Sequence, residues 1–163
     1  MADETAKVAL KCMEAKDTGI ADLSHCKLVQ VPPAIFVVLA KVRLIKIDLS
    51  YNSLKKIPSG IAQCFPMLQE FKCSHNKGVL KLPHEFSLLE ELNYLDLAHN
   101  SFDSIPGVPS SLKRLNLTGN LITTVDPDDI ERVHHVEEIC LIDNNLDDES
   151  KFHLCKYKNF TLQ

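Results

Sequence analysis

The chain has 163 residues, of which 45% are hydrophobic and 25% are charged, and its formal net charge at pH 7 is -4. These values are ordinary for a globular protein and exclude both a disordered chain and a strongly basic nucleic-acid-binding protein. The longest run of apolar residues, Ala34 to Ala40, is too short to cross a bilayer. We therefore expect one folded domain over residues 1–163, with no membrane partner and no nucleic-acid partner.

The start of the chain and its cysteines predict a cellular location. The stretch MADETAKVALKCMEAKD carries acidic residues where a signal peptide needs a basic start and an apolar centre. The six cysteines form no Cys-x-x-Cys pair and no dense cluster, which favours neither a zinc site nor a disulfide framework. Both features predict reduced thiols and a cytoplasmic protein, with the nucleus as the alternative.

Residues 1–17 are predicted to form a capping helix over the first strand of the fold. A stripe at helical spacing runs along this segment and consists of Ala6, Ala9, Leu10, Met13 and Lys16. Gly19 follows as a stop signal. We expect the apolar members of this stripe to cover the first strand, because the end of a repeat array leaves apolar side chains uncovered.

An internal repeat of about six copies fills residues 18–146. Its clearest copy is LNYLDLAHNSFDSIP, from Leu92 to Pro106, and related stretches include LIKIDLSYNSLKKIP and LKRLNLTGNLITTV. The anchor residues of the copies lie 20 to 26 positions apart and are Cys26, Asn52, Asn76, Asn100, Asn120 and Asn144. Several fixed positions recur together, which is the signature of a stacked-repeat architecture.

Each copy predicts a short strand followed by a turn at the anchor residue. Alternate apolar residues such as Leu95 and Leu97 point inward, and Asp96 between them points outward. The anchor amide can pair with buried backbone groups of neighbouring turns. Short helices are expected in SGIAQCF and EFSLLEE, and irregular loops in NKGVLKLP and SFDSIPGVPSS, where the spacing departs from the repeat.

The C-terminal part of the chain is predicted to be acidic and to end in a cap or tail over residues 147–163. Residues 121–150 contain ten acidic residues and one basic residue, Arg132, which disfavours nucleic acid and fits either a solvated face or a partner with a basic patch. The stretch DDESKFHLCKY predicts a closing helix, with Phe152, Leu154 and Cys155 against the last strand.

The L-x-x-L-x-L-x-x-N-x-L pattern resembles the leucine-rich-repeat superfamily, and IPSGI and LPHEF are similar to Ras-suppressor-type repeats found inside cells. The resemblance implies an α/β fold: a right-handed solenoid with a parallel concave sheet, short helical or irregular convex segments and an N-terminal capping helix. It also implies a non-enzymatic protein-interaction module, an adaptor or scaffold, that needs no cofactor.

Side chains that point outward from aligned strands form columns along the concave face. We expect a monomer that binds a protein partner there, because aromatic and arginine side chains on a rigid surface often anchor interfaces. The predicted contact residues are Lys46, Asp48, Tyr51, Lys72, His75, Tyr94, Asp96, His99, Arg114 and Asn116. The alternative is a structural or regulatory subunit that acts through its ends or its convex face.

Metal and catalytic interpretations of the same face are weaker. His75 and His99 occupy adjacent strands, but a third metal ligand is not evident nearby. Ser74, His75 and Asp96 contain the residue types of a nucleophilic triad. However, such outward positions diverge or lie open to water, which leaves no sheltered oxyanion site. We therefore predict no catalytic, cofactor-binding or metal-binding residues.

Overall fold

A parallel sheet of seven short strands runs the length of the molecule. The computed structural model describes residues 2–162, and their side chains from residue 5 onward. The strands follow one another across the sheet in chain order, and every neighbouring pair is parallel. Their bounds are β1 (Ile20–Asp22), β2 (Lys46–Asp48), β3 (Glu70–Lys72), β4 (Tyr94–Asp96), β5 (Arg114–Asn116), β6 (Glu138–Cys140) and β7 (Phe160–Thr161).

Short helical segments lie in most of the connections between strands. Their bounds are α2 (Ala34–Val38), α3 (Gly60–Cys64), a 3-10 helix (His84–Leu88), α4 (Pro127–Val133) and α5 (Asp148–Leu154). A longer helix, α1 (Ala2–Thr18), precedes β1. The α2 helix contacts α3, and α3 contacts the 3-10 helix, so the connections stack as the strands do. This arrangement confirms the predicted α/β solenoid with an open parallel sheet.

The core lies behind the sheet and is built from the repeat leucines and their substitutes. In each of β1 to β6 the middle residue is buried and its two neighbours are at least partly exposed. Leu92, Leu95 and Leu97 are fully buried, and burial of each such side chain contributes roughly 1.5–3 kcal/mol. Cys73 replaces an inward leucine, and burial raises the pKa of its thiol to about 12.

The anchor asparagines form a ladder that joins successive repeats. Asn76 Nδ2 donates to the carbonyl oxygen of Leu49 in the preceding repeat at 3.0 Å and to that of Cys73 in its own repeat at 3.2 Å. Its Oδ1 accepts from the backbone N–H of Leu54 at 3.0 Å. Asn52, Asn120 and Asn144 also bridge neighbouring repeats. Only a side chain with both donor and acceptor atoms can make this set of bonds.

The irregular loops predicted from the spacing are present. Residues 101–113 contain no helix. In the NKGVLKLP loop, Gly78 packs so tightly that an added Cβ would lie 2.9 Å from the carbonyl oxygen of Leu54. The ladder is also incomplete beside this loop. Asn100 Nδ2 donates to the carbonyl oxygen of Cys73, but among the described residues its buried Oδ1 has no hydrogen-bond partner. The extra residue in the loop explains this gap, because it displaces the N–H that pairs with the other anchors.

The N-terminal helix packs on β1 with a different face from the predicted one. Cys12 and Ala15 are buried, whereas Leu10 and Met13 remain 57% and 63% exposed. The predicted stripe is therefore wrong. Two apolar stripes share this helix, and the one with smaller side chains allows a close approach of the helix to the sheet edge. The space available for packing decided which of the two stripes faces the sheet, and the periodicity of the sequence does not report that space.

The C-terminal segment was predicted only in part. The α5 helix forms, and the Asp147 side chain accepts a 2.8 Å hydrogen bond from the N–H of Ser150 at its start. Leu154 is buried as expected, but Phe152 and Cys155 are exposed. The final residues add β7 beside β6, a strand without the repeat pattern. Such a two-residue strand depends on pairing with an existing sheet edge rather than on its own sequence.

Candidate functional site

The candidate site is the outward side of the sheet, which we call the concave face. The strand register brings the first and third residues of successive strands into two columns. The first column is Ile20, Lys46, Glu70, Tyr94, Arg114 and Glu138. The second column is Asp22, Asp48, Lys72, Asp96, Asn116 and Cys140. The predicted contact residues on the strands lie in these two columns and are Lys46, Asp48, Lys72, Tyr94, Asp96, Arg114 and Asn116.

Tyr94 lies at the centre of a group of charged side chains. Lys72 Nζ is 5.5 Å and Arg114 Cζ is 4.9 Å from the centroid of its ring, so the two cations reach it from the two flanking strands. Contacts of this kind contribute about 0.5–1 kcal/mol each at exposed sites. Burial raises the pKa of the Tyr94 phenol, and the Asp96 carboxylate adds to that shift. The group therefore presents the uncharged Tyr94 ring together with the positive charges of Lys72 and Arg114.

A second charged contact lies at the N-terminal side of the same column. Lys46 Nζ and Glu70 Oε2 are 3.1 Å apart, and both side chains are about one-third exposed. An ion pair this accessible contributes little to stability, within about 1 kcal/mol. Its main effect is to hold two long side chains in place on the concave face.

Polar side chains of the second column also stabilise the turn at the end of their own strand, by accepting a hydrogen bond from the backbone N–H two residues further on. Asp48 Oδ1 accepts from the N–H of Ser50 at 2.9 Å, and Asp96 Oδ1 accepts from the N–H of Ala98 at 3.1 Å. Asn116 makes the same local bond. Such side-chain-to-backbone bonds stabilise turns. Three predicted contact residues therefore have a structural role that the sequence analysis missed.

Asp96 is a partly buried carboxylate of this column. Burial raises its pKa above the ordinary value, although the Ala98 N–H and Lys72 both act in the opposite direction. The charged form of Asp96 is therefore held at neutral pH against a desolvation cost. That cost makes Asp96 sensitive to a partner that changes its solvation.

Four aromatic rings stack along the edge of the concave face, directly before the anchor residues. The ring centroids of His25 and Tyr51 are 4.4 Å apart, those of Tyr51 and His75 4.2 Å, and those of His75 and His99 4.3 Å. All four residues have left-handed backbone conformations, with φ between 52° and 57°. The next member of this column is Gly119, where an added Cβ would lie 2.4 Å from His99 Nδ1. We call these four residues the ring stack.

The contacts of the ring stack bear on whether its histidines could bind a metal ion or take part in catalysis. His75 lies face to face with Tyr51 on one side and His99 on the other. Across the described residues, no group of three or more His, Cys, Asp or Glu side chains is placed to hold a metal ion. For the triad considered above, Ser74 is buried and the Asp96 carboxylate is bonded to Ala98. Ser74 and Asp96 therefore serve the fold at these positions.

An apolar groove lies between α1 and the loop that follows β1. It encloses about 580 Å³, and its exposed apolar side chains include Met13 on the helix and Val29 on the loop. The groove exists because α1 turns its smaller stripe toward the sheet and leaves Met13 outside. No pattern in the chain predicted this groove directly.

The acidic C-terminal segment uses part of its charge to begin helices. Asp126 accepts from the N–H of Asp129 at 2.8 Å, and Asp129 accepts in return from the N–H of Asp126, which forms a capping box at the start of α4. Asp129 also pairs with Arg132. Carboxylates are favoured at helix N-termini. Several acidic residues there consequently have a local structural role.

None of the helices in residues 2–162 is both long enough and apolar enough to span a membrane.

Comparisons with known proteins identify similar repeats. Sequence profiles described as Leucine rich repeat match residues 43–102 and 111–133, together about half of the chain. Mouse (Mus musculus) podocan is 33% identical over 118 residues, which are 71% of this chain and 18% of podocan. Mouse opticin is 34% identical over 109 residues, 53% of this chain and 33% of opticin. The chain thus spans at most about a third of the length of these relatives.

A solved structure of a leucine-rich-repeat protein from Leptospira interrogans has the same fold. It superposes with a TM-score of 0.67 at 26% identity, and the match covers 84% of this chain and 34% of that one. The likeness therefore extends over the full set of repeats rather than over one strand and turn.

The relatives contradict the cytoplasmic location predicted from the sequence. They are extracellular matrix proteins, such as podocan and opticin, and membrane receptors. The prediction depended on the first residues of the chain, which are uninformative when the chain spans a small part of its relatives, and on a cysteine pattern that does not by itself report location. Nothing in the relatives supports the Ras-suppressor type either. The asparagine ladder, the register of the parallel strands and the matching profiles show that this chain belongs to the leucine-rich-repeat superfamily.

Proposed function

We propose that the protein is a non-enzymatic binding module, an adaptor or scaffold, that holds a protein partner on its concave face. The observation that carries this proposal is the group around Tyr94, in which Lys72 and Arg114 flank one half-buried ring. Tyrosine and arginine are the residue types that most often dominate binding energy. Since the sheet already holds them in place, a partner meets a surface with little ordering cost.

The proposed contact surface extends from Tyr94 along both columns and onto the ring stack. It consists of Lys46, Asp48, Tyr51, Lys72, His75, Tyr94, Asp96, His99, Arg114 and Asn116. Its charges alternate in sign, so a matching partner would carry alternating charges as well. A partner with a basic patch would gain further from the acidic segment beside α4 and β6.

The test compares partner capture by wild type, by Tyr94→Ala with Arg114→Ala, and by Lys81→Ala. Arg114 is exposed and the Tyr94 side chain makes no strand-closing hydrogen bond among the described residues, whereas alanine at Asp48 or Asp96 would also remove the acceptor that closes a turn. Lys81 is an exposed lysine in the loop between β3 and the 3-10 helix and serves as the matched control. Tagged proteins would be incubated with matrix, membrane and cell extracts at two salt concentrations, and bound proteins quantified.

We expect a partner that wild type and Lys81→Ala both capture and that the double variant loses by at least tenfold. Loss of a Tyr or Arg hot spot typically costs 2 kcal/mol or more, about thirtyfold in affinity. Equal capture by all three proteins would contradict binding through the concave face.

A second candidate function is supported by the apolar groove at the N-terminal end. Exposed apolar side chains at Leu10 and Met13 suit a subunit that acts through its end rather than through the sheet. This alternative predicts that Met13→Glu abolishes capture while the Tyr94 and Arg114 substitutions leave it unchanged. The same extracts and the same quantification distinguish the two functions.

A further inference from the structure

The ring stack is tied to the backbone of successive repeats. The N–H of Tyr51 donates to the carbonyl oxygen of Ser74 at 2.9 Å, that of His75 to Ala98 at 2.9 Å, and that of His99 to Thr118 at 2.7 Å. Each ring is thus carried by a residue whose backbone is bonded to the next repeat. The backbone therefore holds the Cα atoms of the four residues at the spacing of the sheet.

Three of the four stacked rings are imidazoles, whose charge changes near neutral pH. Neutral imidazoles stack favourably on each other and on tyrosine. Two protonated imidazoles at the 4.3 Å separation of His75 and His99 would repel each other. Because the backbone holds their Cα atoms at sheet spacing, the rings can relieve that repulsion only by rotating out of the stack.

The charged groups around the ring stack do not neutralise it. Lys77 disfavours a proton on His75, and Asp96 favours one. Lys7 Nζ donates to the carbonyl oxygen of His25 at 3.0 Å, which places a further positive charge at the N-terminal end. At the other end Gly119 carries no charge, and Asp143 occupies the column position after it. The middle of the stack has Asp96 as its nearby carboxylate and Lys77 as its nearby cation.

From this geometry we propose that the ring stack is an acid-sensitive brace between the first four repeats. At neutral pH it stabilises them, and protonation of its histidines weakens the contact between them. The last two repeats, which carry Gly119 and Asp143 in the same column, lack the brace.

The direction of the effect follows from the proton affinity of His75. Burial, the neighbouring His99 and Lys77 together hold the pKa of His75 below its ordinary value of 6.5, against the opposite influence of Asp96. The folded protein therefore binds this proton more weakly than the unfolded chain does. Stability from His75 is fully present above about pH 6.5 and is lost as the pH falls through the lower pKa of the folded state.

The experiment compares wild type with His99→Asn and with a matched control, His84→Asn. Asparagine tolerates positive φ and does not titrate, so His99→Asn removes one imidazole while suiting the left-handed backbone. His84 is an exposed histidine outside the ring stack. Urea unfolding would be measured at pH 7.5 and pH 5.5, and the His75 Cε1–H resonance would be followed by NMR over the same range.

We expect the unfolding constant of wild type to rise between pH 7.5 and pH 5.5 by about fivefold more than that of His99→Asn. His84→Asn should retain the wild-type pH dependence. The titration midpoint of His75 should lie below 6.5 in wild type and should rise in His99→Asn. An unchanged His75 midpoint in the variant would overturn the proposal, and so would a pH dependence equal to that of wild type. The wild-type titration alone tests the proposal even if a variant fails to fold.

Discussion

Two ladders run side by side through this protein, one residue apart in every repeat. The ladder of buried and half-buried anchor residues is asparagine in five of six copies, and the neighbouring column contains histidine, tyrosine, glycine and aspartate. An anchor must donate and accept hydrogen bonds to buried backbone, which leaves asparagine as the suitable residue. Its neighbour must only tolerate a left-handed backbone at a partly exposed position. The residue type can therefore vary between repeats in the second ladder, and four of its members carry the rings of the ring stack.

Among the substitutions considered for the two ladders, replacement of an anchor residue should lower the free energy of unfolding the most. We expect Asn76→Ala to lower the free energy of unfolding by about 3 kcal/mol, because fully buried backbone groups of Leu49, Cys73 and Leu54 lose their partners. Urea denaturation followed by circular dichroism would measure the loss. The neighbouring substitution His75→Asn, at pH 7.5, should cost less than about 1 kcal/mol.

Asn100→Ala provides a finer control for the same ladder. Its Oδ1 accepts no hydrogen bond among the described residues, so this variant loses only the donor half of the anchor. We expect a loss of about 1–2 kcal/mol, smaller than at Asn76. Equal losses at both anchors would mean that the acceptor half contributes nothing.

Gly119→Ala tests the second ladder where it changes from rings to glycine. The added Cβ would meet His99 Nδ1 at 2.4 Å, and alanine is disfavoured at φ 67°. We expect a loss of about 1 kcal/mol together with a displaced His99 ring. Denaturation gives the energy, and NMR shifts of the His99 ring protons report the displacement. Unchanged His99 shifts would contradict the close contact described above.

Asp96→Asn should have the smallest effect and the opposite sign. Asparagine keeps an oxygen that can accept from the Ala98 N–H, as Asn116 accepts from the Thr118 N–H in the next strand, and it removes a partly buried charge. Because burial raises the pKa of Asp96, the folded protein binds this proton more tightly than the unfolded chain does. Asp96 therefore costs stability at neutral pH, and the cost disappears as the pH falls through its raised pKa.

We expect Asp96→Asn to gain up to about 0.5 kcal/mol at pH 7 and nothing at pH 3. Thermal unfolding at the two pH values would measure the difference. A variant that is less stable at pH 7 would indicate that the attraction of Asp96 to Lys72 outweighs its burial.

The candidate site was predictable in position but not in detail. Repeat alignment alone placed Tyr94 beside Arg114 and Lys72 beside Asp96, because a parallel sheet stacks equivalent residues. It did not reveal that Asp48 and Asp96 close their own turns, since that bond depends on the backbone path after the strand. The location prediction was wrong for another reason, because the ends of this chain say little about a longer relative.

The sequence by itself determined the repeat, the register of the sheet and the inward positions of residues such as Leu95 and Leu97. These follow from a strict period, which leaves one arrangement that buries every leucine. Only the tertiary structure decided which stripe of α1 faces the sheet, where β7 pairs and how the four rings lie against one another. Those outcomes depend on the space and the partners that other segments supply, and no local pattern in the chain encodes them.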